Sequence, residues 1–305
     1  MNTTPELLDA VVIGGGPAGL QAALTLGRMH RPAVLVDSGE YRNAPVEHMH
    51  NFVTHDGRPP AEFRAAALAD IAAYGTVRVL RDRVGTVTEA DGVFTAGLDG
   101  GTTLRARRLL LATGLRDTLP GKPGLAGLFG TVAAHCPFCH GHEFAGQHVG
   151  LLGAGPHTSR LAAMLAPIAA RITVFADGDV PDPAVSAALD KAGVPVRPET
   201  VTGFCRSAIG ATVSFTDGPA EEVGGLFVTT AFAQSAPFAT QLGLTMLPSG
   251  AVQVDAFQRT SRPGVFAVGD MAHVEALPMP LASVLTSAAS GLVAAGVLVQ
   301  ELSAL

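Results

Sequence analysis

Leu8-Asp9-Ala10-Val11-Val12-Ile13, followed at once by Gly14-Gly15-Gly16-Pro17-Ala18-Gly19, is the stretch that decides the fold. The first part reads as a buried strand. Leu20, Ala23, Leu24 and Leu26 then supply one apolar helical face as far as about Met29. Ala33–Val36 is a second apolar strand and ends at Asp37, closing a βαβ unit. Gly14 permits the tight turn, Gly16 lets backbone approach a pyrophosphate at the helix N-terminus, and Gly19 allows close helix–strand packing. Asp37 stands where a carboxylate accepts ribose hydroxyls.

The same pattern recurs further along. Val149–Leu152 is a strand, Gly153-Ala154-Gly155-Pro156-His157-Thr158 a turn, Leu161–Leu165 a helical stretch and Ile172–Phe175 the next strand. Between the repeats lie a polar, His-rich segment (Tyr41–Pro60), a helix (Glu62–Tyr74) and a hairpin turning at Asp99-Gly100-Gly101. A strand, Leu109–Ala112, then ends in Thr113-Gly114. Leu119–Gly124 reads as the crossover into the second unit, and the stretch after Leu226–Thr229 as the crossover back. The expected fold is α/β: two Rossmann-like, doubly wound, three-layer nucleotide-binding domains. Residues 1–116 and 236–305 form the split first domain and 117–235 the insert.

Composition narrows the function. With 48% hydrophobic and 15% charged residues among 305, the chain is no disordered tail. Twenty Lys+Arg against 26 Asp+Glu, and no Trp, exclude a phosphate-backbone or base-stacking partner, so no nucleic acid is expected. Three cysteines do not make a secreted disulfide scaffold, and MNTTPELLDA shows no leader, so the expected setting is a reducing cytoplasm. Ala276–Gln300 carries no charge, but Pro278, Pro280 and the missing Lys/Arg anchors favour a buried helix over a membrane span.

Cys136-Pro137-Phe138-Cys139-His140 admits three readings. Covalent haem attachment needs export, which the N-terminus does not support. Zinc would draw on His135, Cys136, Cys139, His140 and His142, but structural zinc takes two separated pairs and no second pair is visible, so no metal is expected. A redox-active dithiol fits best, since cysteines spaced i, i+3 close a small disulfide ring. Cys205 has no partner and reads as a small buried hydrophobe.

In the tail, Arg259–Asp270 is a strand running into Gly269-Asp270, where a carboxylate can hold a ribityl hydroxyl. Gly14–Gly19, Ala112-Thr113-Gly114, Cys136–Cys139 and Thr260–Asp270, in that order over nearly the whole chain, resemble the low-molecular-weight thioredoxin reductase family of FAD-dependent pyridine nucleotide-disulfide oxidoreductases. The resemblance implies FAD, held by Gly14, Gly15, Gly16, Pro17, Ala18, Gly19, Asp37, Ala112, Thr113, Gly114, Gly269 and Asp270. It further implies contacts from Ser38, Arg42, Asn51 and Val84, a last helix from about Leu281 whose backbone N–H groups at Leu281, Ala282 and Ser283 face the flavin, and a homodimer. The family's usual Arg-Gln at that helix start is replaced by Met279-Pro280-Leu281-Ala282.

The second repeat departs from its NADPH-using relatives. Its strand ends Val174-Phe175-Ala176-Asp177-Gly178-Asp179, and no Arg or Lys follows between Arg171 and Lys191 to grip a 2′-phosphate. NADPH binding is therefore expected to be lost, whereas Asp177 leaves room for NADH. Arg42-Asn43-Ala44-Pro45, His50-Asn51, Asp56-Gly57 and His135-Cys136-Pro137-Phe138-Cys139-His140-Gly141-His142-Glu143 resemble the dithiol oxidases of the gliotoxin and holomycin pathways. That resemblance implies oxidation of a small-molecule dithiol to a disulfide, with O2 as electron acceptor and hydrogen peroxide as co-product. It also implies that Cys136 meets substrate and Cys139 the flavin. His140 stands where the family carries a catalytic Asp and is the first choice of base, with His135 and His142 behind it. His48, His50 and His55 are candidates for the pocket rim; His30, His148, His157 and His273 read as solvated or core rings. Two alternatives stay open: an NAD(P)H- or ferredoxin-fed disulfide reductase, and a non-catalytic flavin redox sensor.

Overall fold

The computed structural model describes residues 6–304; Met1–Pro5, on which half of the leaderless reading rests, lie outside the described residues. The chain divides into two compact units. The first comprises residues up to Ala44, Ala61–Arg116 and Phe232 onward; the second comprises Pro45–Pro60 and Asp117–Ala231. The return crossing thus falls at Phe232 instead of residue 236, and the His-rich Pro45–Pro60 segment groups with the second unit.

In the first unit β1 (Leu7–Ile13), α1 (Pro17–Arg28), β2 (Ala33–Asp37), α2 (Pro60–Ala72) and β3 (Val77–Arg81) run as alternating strand and helix. A hairpin follows, β4 (Val84–Ala90) and β5 (Val93–Leu98), and then the long β6 (Thr103–Leu111). The strands order as β3-β2-β1-β6-β5-β4. Side chains of β1 alternate between two cores, as strand geometry requires. Ala10 and Val12 pack with Ala22, Leu26, Ala294 and Leu298 of the helical layer. Val11 and Ile13 pack with Phe94, Phe238 and Val252 on the other face. That second face draws on the β4–β5 hairpin and on residues 238–272.

The chain leaves through β7 (Leu115–Thr118). The second unit holds β8 (Ala133–Ala134), α3 (Pro137–His140), β9 (His148–Leu152), α4 (Thr158–Leu165), β10 (Arg171–Phe175), α5 (Pro183–Lys191) and β11 (Val196–Arg197). An antiparallel trio, β12 (Val201–Arg206), β13 (Ala211–Phe215) and β14 (Glu221–Val223), precedes β15 (Gly225–Val228). Its parallel sheet has the order β11-β10-β9-β15-β8. The alternation again splits the strands, with Leu151 and Val174 facing Ala162 and Leu189, and Leu152 and Phe175 facing Phe204 and Val213.

The chain returns through β16 (Ala231–Gln234), which pairs with β7. After α6 (Phe238–Gln241) come β17 (Val252–Val254), β18 (Val265–Ala267), β19 (Ala272–Val274) and the last helix, α7 (Val284–Ser303). β18 pairs with β6 in parallel, completing the first sheet.

Two sequence expectations are corrected. Cys205 is exposed: on β12 its neighbour Phe204 takes the core-facing position, and alternation turns Cys205 outward. The last helix begins at Val284, three residues later than Leu281, because Ser283 caps it and accepts the Thr286 N–H at 3.1 Å. Leu281 and Ala282 lie in the preceding loop, so the helix presents the N–H groups of Val284 and Leu285 instead. This helix is long and apolar enough to cross a membrane. It buries Ser287, Gly291, Ala294, Ala295 and Leu298, while Leu285 and Leu292 stay exposed. The expectation of a buried helix therefore holds for one face only.

Candidate functional site

The glycine turn of the first unit is closed by backbone. A methyl on Gly19 would overlap the Gly14 carbonyl oxygen, and one on Gly14 would overlap that of Ala112. Ala112 N–H donates to Ile13 O at 2.8 Å, tying the end of β6 to the turn. Gly16 is different, since a Cβ there meets nothing within 4 Å. No side chain caps α1, so its first-turn N–H groups open onto free volume suited to a pyrophosphate. The residues present fit the phosphate part of FAD.

Asp37 is 2% exposed and well occupied. It accepts from Gly39 N–H at 2.9 Å, the Tyr41 hydroxyl at 2.7 Å and Arg81 Nη1 at 2.6 Å. Burial and the neighbouring Asp37 raise the Tyr41 pKa, which keeps its hydroxyl a donor. Three donors leave room for about one more on a carboxylate with roughly four acceptor positions.

Asp270 is held on both oxygens, by Arg42 Nη1 at 2.8 Å and by the Ser287 hydroxyl at 3.0 Å. Gly269, at φ 73°, donates its N–H to the Ser290 hydroxyl at 2.9 Å. The first turns of α7 thus fix the Gly269-Asp270 corner, which the motif alone did not reveal. Thr113 Oγ1 meets the Met271 sulfur at 3.4 Å, and Gly114 takes φ 68°. Ser38 is exposed, with its hydroxyl facing Glu40 N–H at 3.4 Å. Val84 is buried in the core, so only its backbone can meet a ligand. Asn51 belongs to the second unit, where its N–H donates to Asp56 at 2.7 Å.

The second unit carries the sulfur chemistry. Pro137, at the first position of α3, starts a single helical turn whose Cys139 and His140 N–H groups both reach the Cys136 carbonyl at 3.2 Å. This brings the Cα atoms of Cys136 and Cys139 to 5.3 Å, and the two form a disulfide. Phe138, between them, is exposed.

Beside α3 lies a cavity of about 200 Å3 lined by Glu47, His48, His50, Gly130, Thr131, His140 and Glu143. The Pro45–Pro60 loop forms one wall. Met49 is buried and bridges to Arg58 through its N–H at 2.9 Å, so His48 and His50 flank it on the cavity side. Gly130, at φ 91°, admits the loop: a side chain there would overlap the Pro45 carbonyl. Arg206 Nη2 donates to Thr131 Oγ1 at 2.8 Å.

His140 is the most perturbed ring here. Burial lowers its pKa below the ordinary imidazole value, His50 adds to the lowering, and Glu143 and a backbone hydrogen bond with Gly130 oppose it. The lowering favours the unprotonated ring. Its Nδ1 is buried with no hydrogen-bond partner among the described residues. Of the other candidates, His135 is exposed and stacks on Phe129 at 5.8 Å, His142 is exposed, and His55 packs on Phe52 at 4.9 Å. Glu143, His48 and His50 are the partners the fold brings to His140. The i, i+3 spacing of Glu143 from His140 was the available signal for the first.

The second glycine turn is built differently from the first. Thr158 fills the third-glycine position, and α4 starts there, two residues later in the motif than α1 does. Asp177 accepts on Oδ1 alone, from Lys122 Nζ at 2.6 Å and from Val201 N–H at 2.9 Å. The pairing with Lys122 is one that the local sequence around β10 could not show. Like His148, whose two ring nitrogens contact Glu222 O and Thr173 Oγ1 at 2.9 Å each, His273 is a satisfied ring.

Comparison with known proteins gives one consistent picture. The pyridine nucleotide-disulphide oxidoreductase model matches residues 8–291. A curated relative, thioredoxin reductase sirT of Leptosphaeria maculans, is 35% identical over 95% of this chain and 93% of its own. The HlmI crystal structure superposes with a TM-score of 0.90 at 34% identity, covering 99% of this chain and 95% of that one. An oxidoreductase from Agrobacterium tumefaciens superposes with a TM-score of 0.89 at 32% identity, covering 98% and 99%. Membership in such a group implies FAD binding and a thioredoxin reductase-like disulfide oxidoreductase, and on this evidence the chain belongs to the pyridine nucleotide-disulphide oxidoreductase family.

Proposed function

We propose that this protein is a dithiol oxidase: it closes a disulfide in a small-molecule dithiol of natural-product type and uses O2 as the final electron acceptor. The observation that supports the reading is an intact cystine beside a second nucleotide fold in which Asp177, at the end of β10, is paired with Lys122 and Val201 and no Arg cluster follows. In this reading electrons enter the cystine from substrate thiols and not from a nicotinamide.

In the proposed reaction His140 takes the proton of the first substrate thiol. The thiolate attacks Sγ of Cys136, the Cys136–Cys139 bond breaks, and Cys139 leaves as thiolate. The second substrate thiolate then attacks the substrate sulfur bound to Cys136. The product disulfide forms, and two electrons remain on the cysteine pair. What bound FAD supplies is a two-electron acceptor that restores the cystine and hands the electrons to O2, giving hydrogen peroxide. It would be held by the Gly14–Gly19 turn, Asp37 and the Gly269-Asp270 corner. A cytoplasmic homodimer is the proposed setting, by resemblance to relatives.

The test is anaerobic mixing of the FAD-loaded protein with dithiothreitol or with NADPH while flavin absorbance is followed. Bleaching by the dithiol alone, followed by peroxide on admitting air, is expected. Rapid bleaching by NADPH overturns the reading in favour of a nicotinamide-fed reductase.

A further inference from the structure

We infer that the first unit holds a ligand site apart from its glycine turn: an arginine-lined cavity that takes a small molecule bearing a phosphate or diphosphate group. The inference stands independently of the dithiol-oxidase reading.

The cavity has a volume of about 780 Å3 and is lined by Arg107, Arg108, Arg259 and Arg262, with Glu89 and Glu301 among them. Small-molecule sites occupy roughly 300–1,000 Å3. Arg107 and Arg108 lie on β6, and Arg259 and Arg262 in the run that leads into β18. The parallel pairing of Leu109 with Val265 brings the two pairs together. Arg108 stands three residues before the end of β6, about 10 Å along the strand from the corner that meets the Gly14–Gly19 turn. The lining shares no residue with that turn or with the Gly269-Asp270 corner.

The charges in the lining do not balance. Four guanidinium groups meet two carboxylates, in a chain whose net charge is −6. Glu301 serves two of the four, Arg259 Nε at 2.8 Å and Arg108 Nε at 3.4 Å. The second is a charge contact only: Arg108 Nε is buried with no hydrogen-bond partner among the described residues, so that guanidinium is only partly compensated. Glu89 pairs with Arg262. Outside the lining, Asp255 meets Arg259 at 3.4 Å, and Asp9 lies 4.0 Å from Arg107 but is shared with Arg31 at 3.4 Å. The lining carboxylates are also the recessed members. Glu89 and Glu301 side chains are 21% and 28% exposed, against 51%, 41% and 37% for Arg107, Arg259 and Arg262. What an entering molecule meets is chiefly guanidinium, braced from behind by carboxylate.

The frame is set before any ligand arrives. Thr260 N–H donates to Val265 O and Val265 N–H to Arg262 O, both at 3.1 Å, closing the turn that carries Arg262. Gly264, at φ 81°, seats this turn against Phe94 and the Arg108 stem; a Cβ there would lie 3.0 Å from the Phe94 ring and 3.6 Å from Arg108 Cδ. Arg108 Nη1 donates to the Arg107 carbonyl at 2.9 Å, and Arg262 Nη1 to that of Leu242 at 3.1 Å. Guanidinium groups fixed in this way lose little freedom on binding. All four cations are Arg, whose planar fork suits phosphate oxygens. A carboxylate brings one charge and one plane of acceptors. A phosphate monoester brings about two charges and three oxygens aimed in different directions, which is what several converging forks can use.

The test is equilibrium dialysis of the FAD-loaded full chain against labelled inorganic pyrophosphate; bound FAD closes the Gly14–Gly19 turn to the probe. One site per chain is expected. Arg107→Gln and Arg259→Gln should each weaken it about 10-fold, the loss of one charge-assisted hydrogen bond. Arg171→Gln, which removes a cation of the second unit, should leave it unchanged. Arg107 is exposed and its closest carboxylate is 4.0 Å away, so its replacement spares the fold and reads the site by itself should Arg259→Gln fail to fold. Succinate should displace the label at least 10-fold less well than unlabelled pyrophosphate. No retention of pyrophosphate, or retention that neither arginine substitution weakens, overturns the inference. Succinate displacing the label as effectively as pyrophosphate overturns the assignment of a phosphate ligand.

Discussion

Thr158 Oγ1 donates to the Gly153 carbonyl at 3.1 Å, occupying in the second unit the place where the first admits only Gly19. The hydroxyl satisfies the turn internally, and α4 starts at Thr158, two residues later in the motif than α1. Neither NADPH nor NADH should bleach the flavin on the timescale of dithiothreitol. Thr158→Gly alone should not restore bleaching, because Lys122 still holds Asp177. Anaerobic stopped-flow absorbance checks both statements.

Gly16 and Gly19 should fail in different ways when changed to Ala. Gly16→Ala faces open space, so stability without cofactor should stay within about 0.5 kcal/mol of wild type, while FAD is lost because the methyl fills the pyrophosphate cradle. Gly19→Ala forces α1 off the Gly14 carbonyl and should cost about 1–3 kcal/mol of stability as an overpacked contact. Urea denaturation of the apoprotein and FAD titration separate the two.

Cys136→Ser and Cys139→Ser should each abolish dithiol-driven bleaching while leaving the visible spectrum of bound FAD intact. The cystine lies on α3 of the second unit, whereas the glycine turn lies in the first. Loss of colour in either variant would contradict that separation.

Acid should weaken the fold through two rings. Burial depresses the pKa of both His140 and His148 in the native protein. A depressed folded pKa means that the unfolded chain binds protons first as pH falls. Their contribution is complete above the ordinary imidazole pKa of about 6.5 and is lost as pH drops through the lower folded values. Urea midpoints should fall from pH 7 to pH 5. His148→Gln should be less stable at pH 7 yet lose less on acidification.

What the sequence made legible was whatever the backbone itself imposes. The Gly14–Gly19 spacing could be read because carbonyl overlap forbids a side chain at Gly19, and β1, β2, β9 and β10 because buried parallel strands are continuous apolar runs. The cystine could be read because Pro137 and i, i+3 spacing set one helical turn. Long-range pairings were not legible: Lys122 reaches Asp177 and Arg42 reaches Asp270 across distances at which local pattern carries no information. The start of α7 was misplaced because it rested on the family resemblance, whereas Ser283 with Thr286 three residues on was the local capping signal. Cys205 was misassigned because cysteine is usually interior, whereas strand alternation turned this one out.

The grouping of Pro45–Pro60 with the second unit has a consequence for dissecting this enzyme. The polypeptide passes between the two bodies four times, not twice. An excised fragment spanning Asp117–Ala231 would keep both sulfurs and His140 but leave behind His48 and His50, arriving with one wall of the cavity beside His140 missing. Swapping that fragment between relatives would transplant the cystine without this wall, so a chimera that keeps the cavity intact has to move residues 45–60 as well.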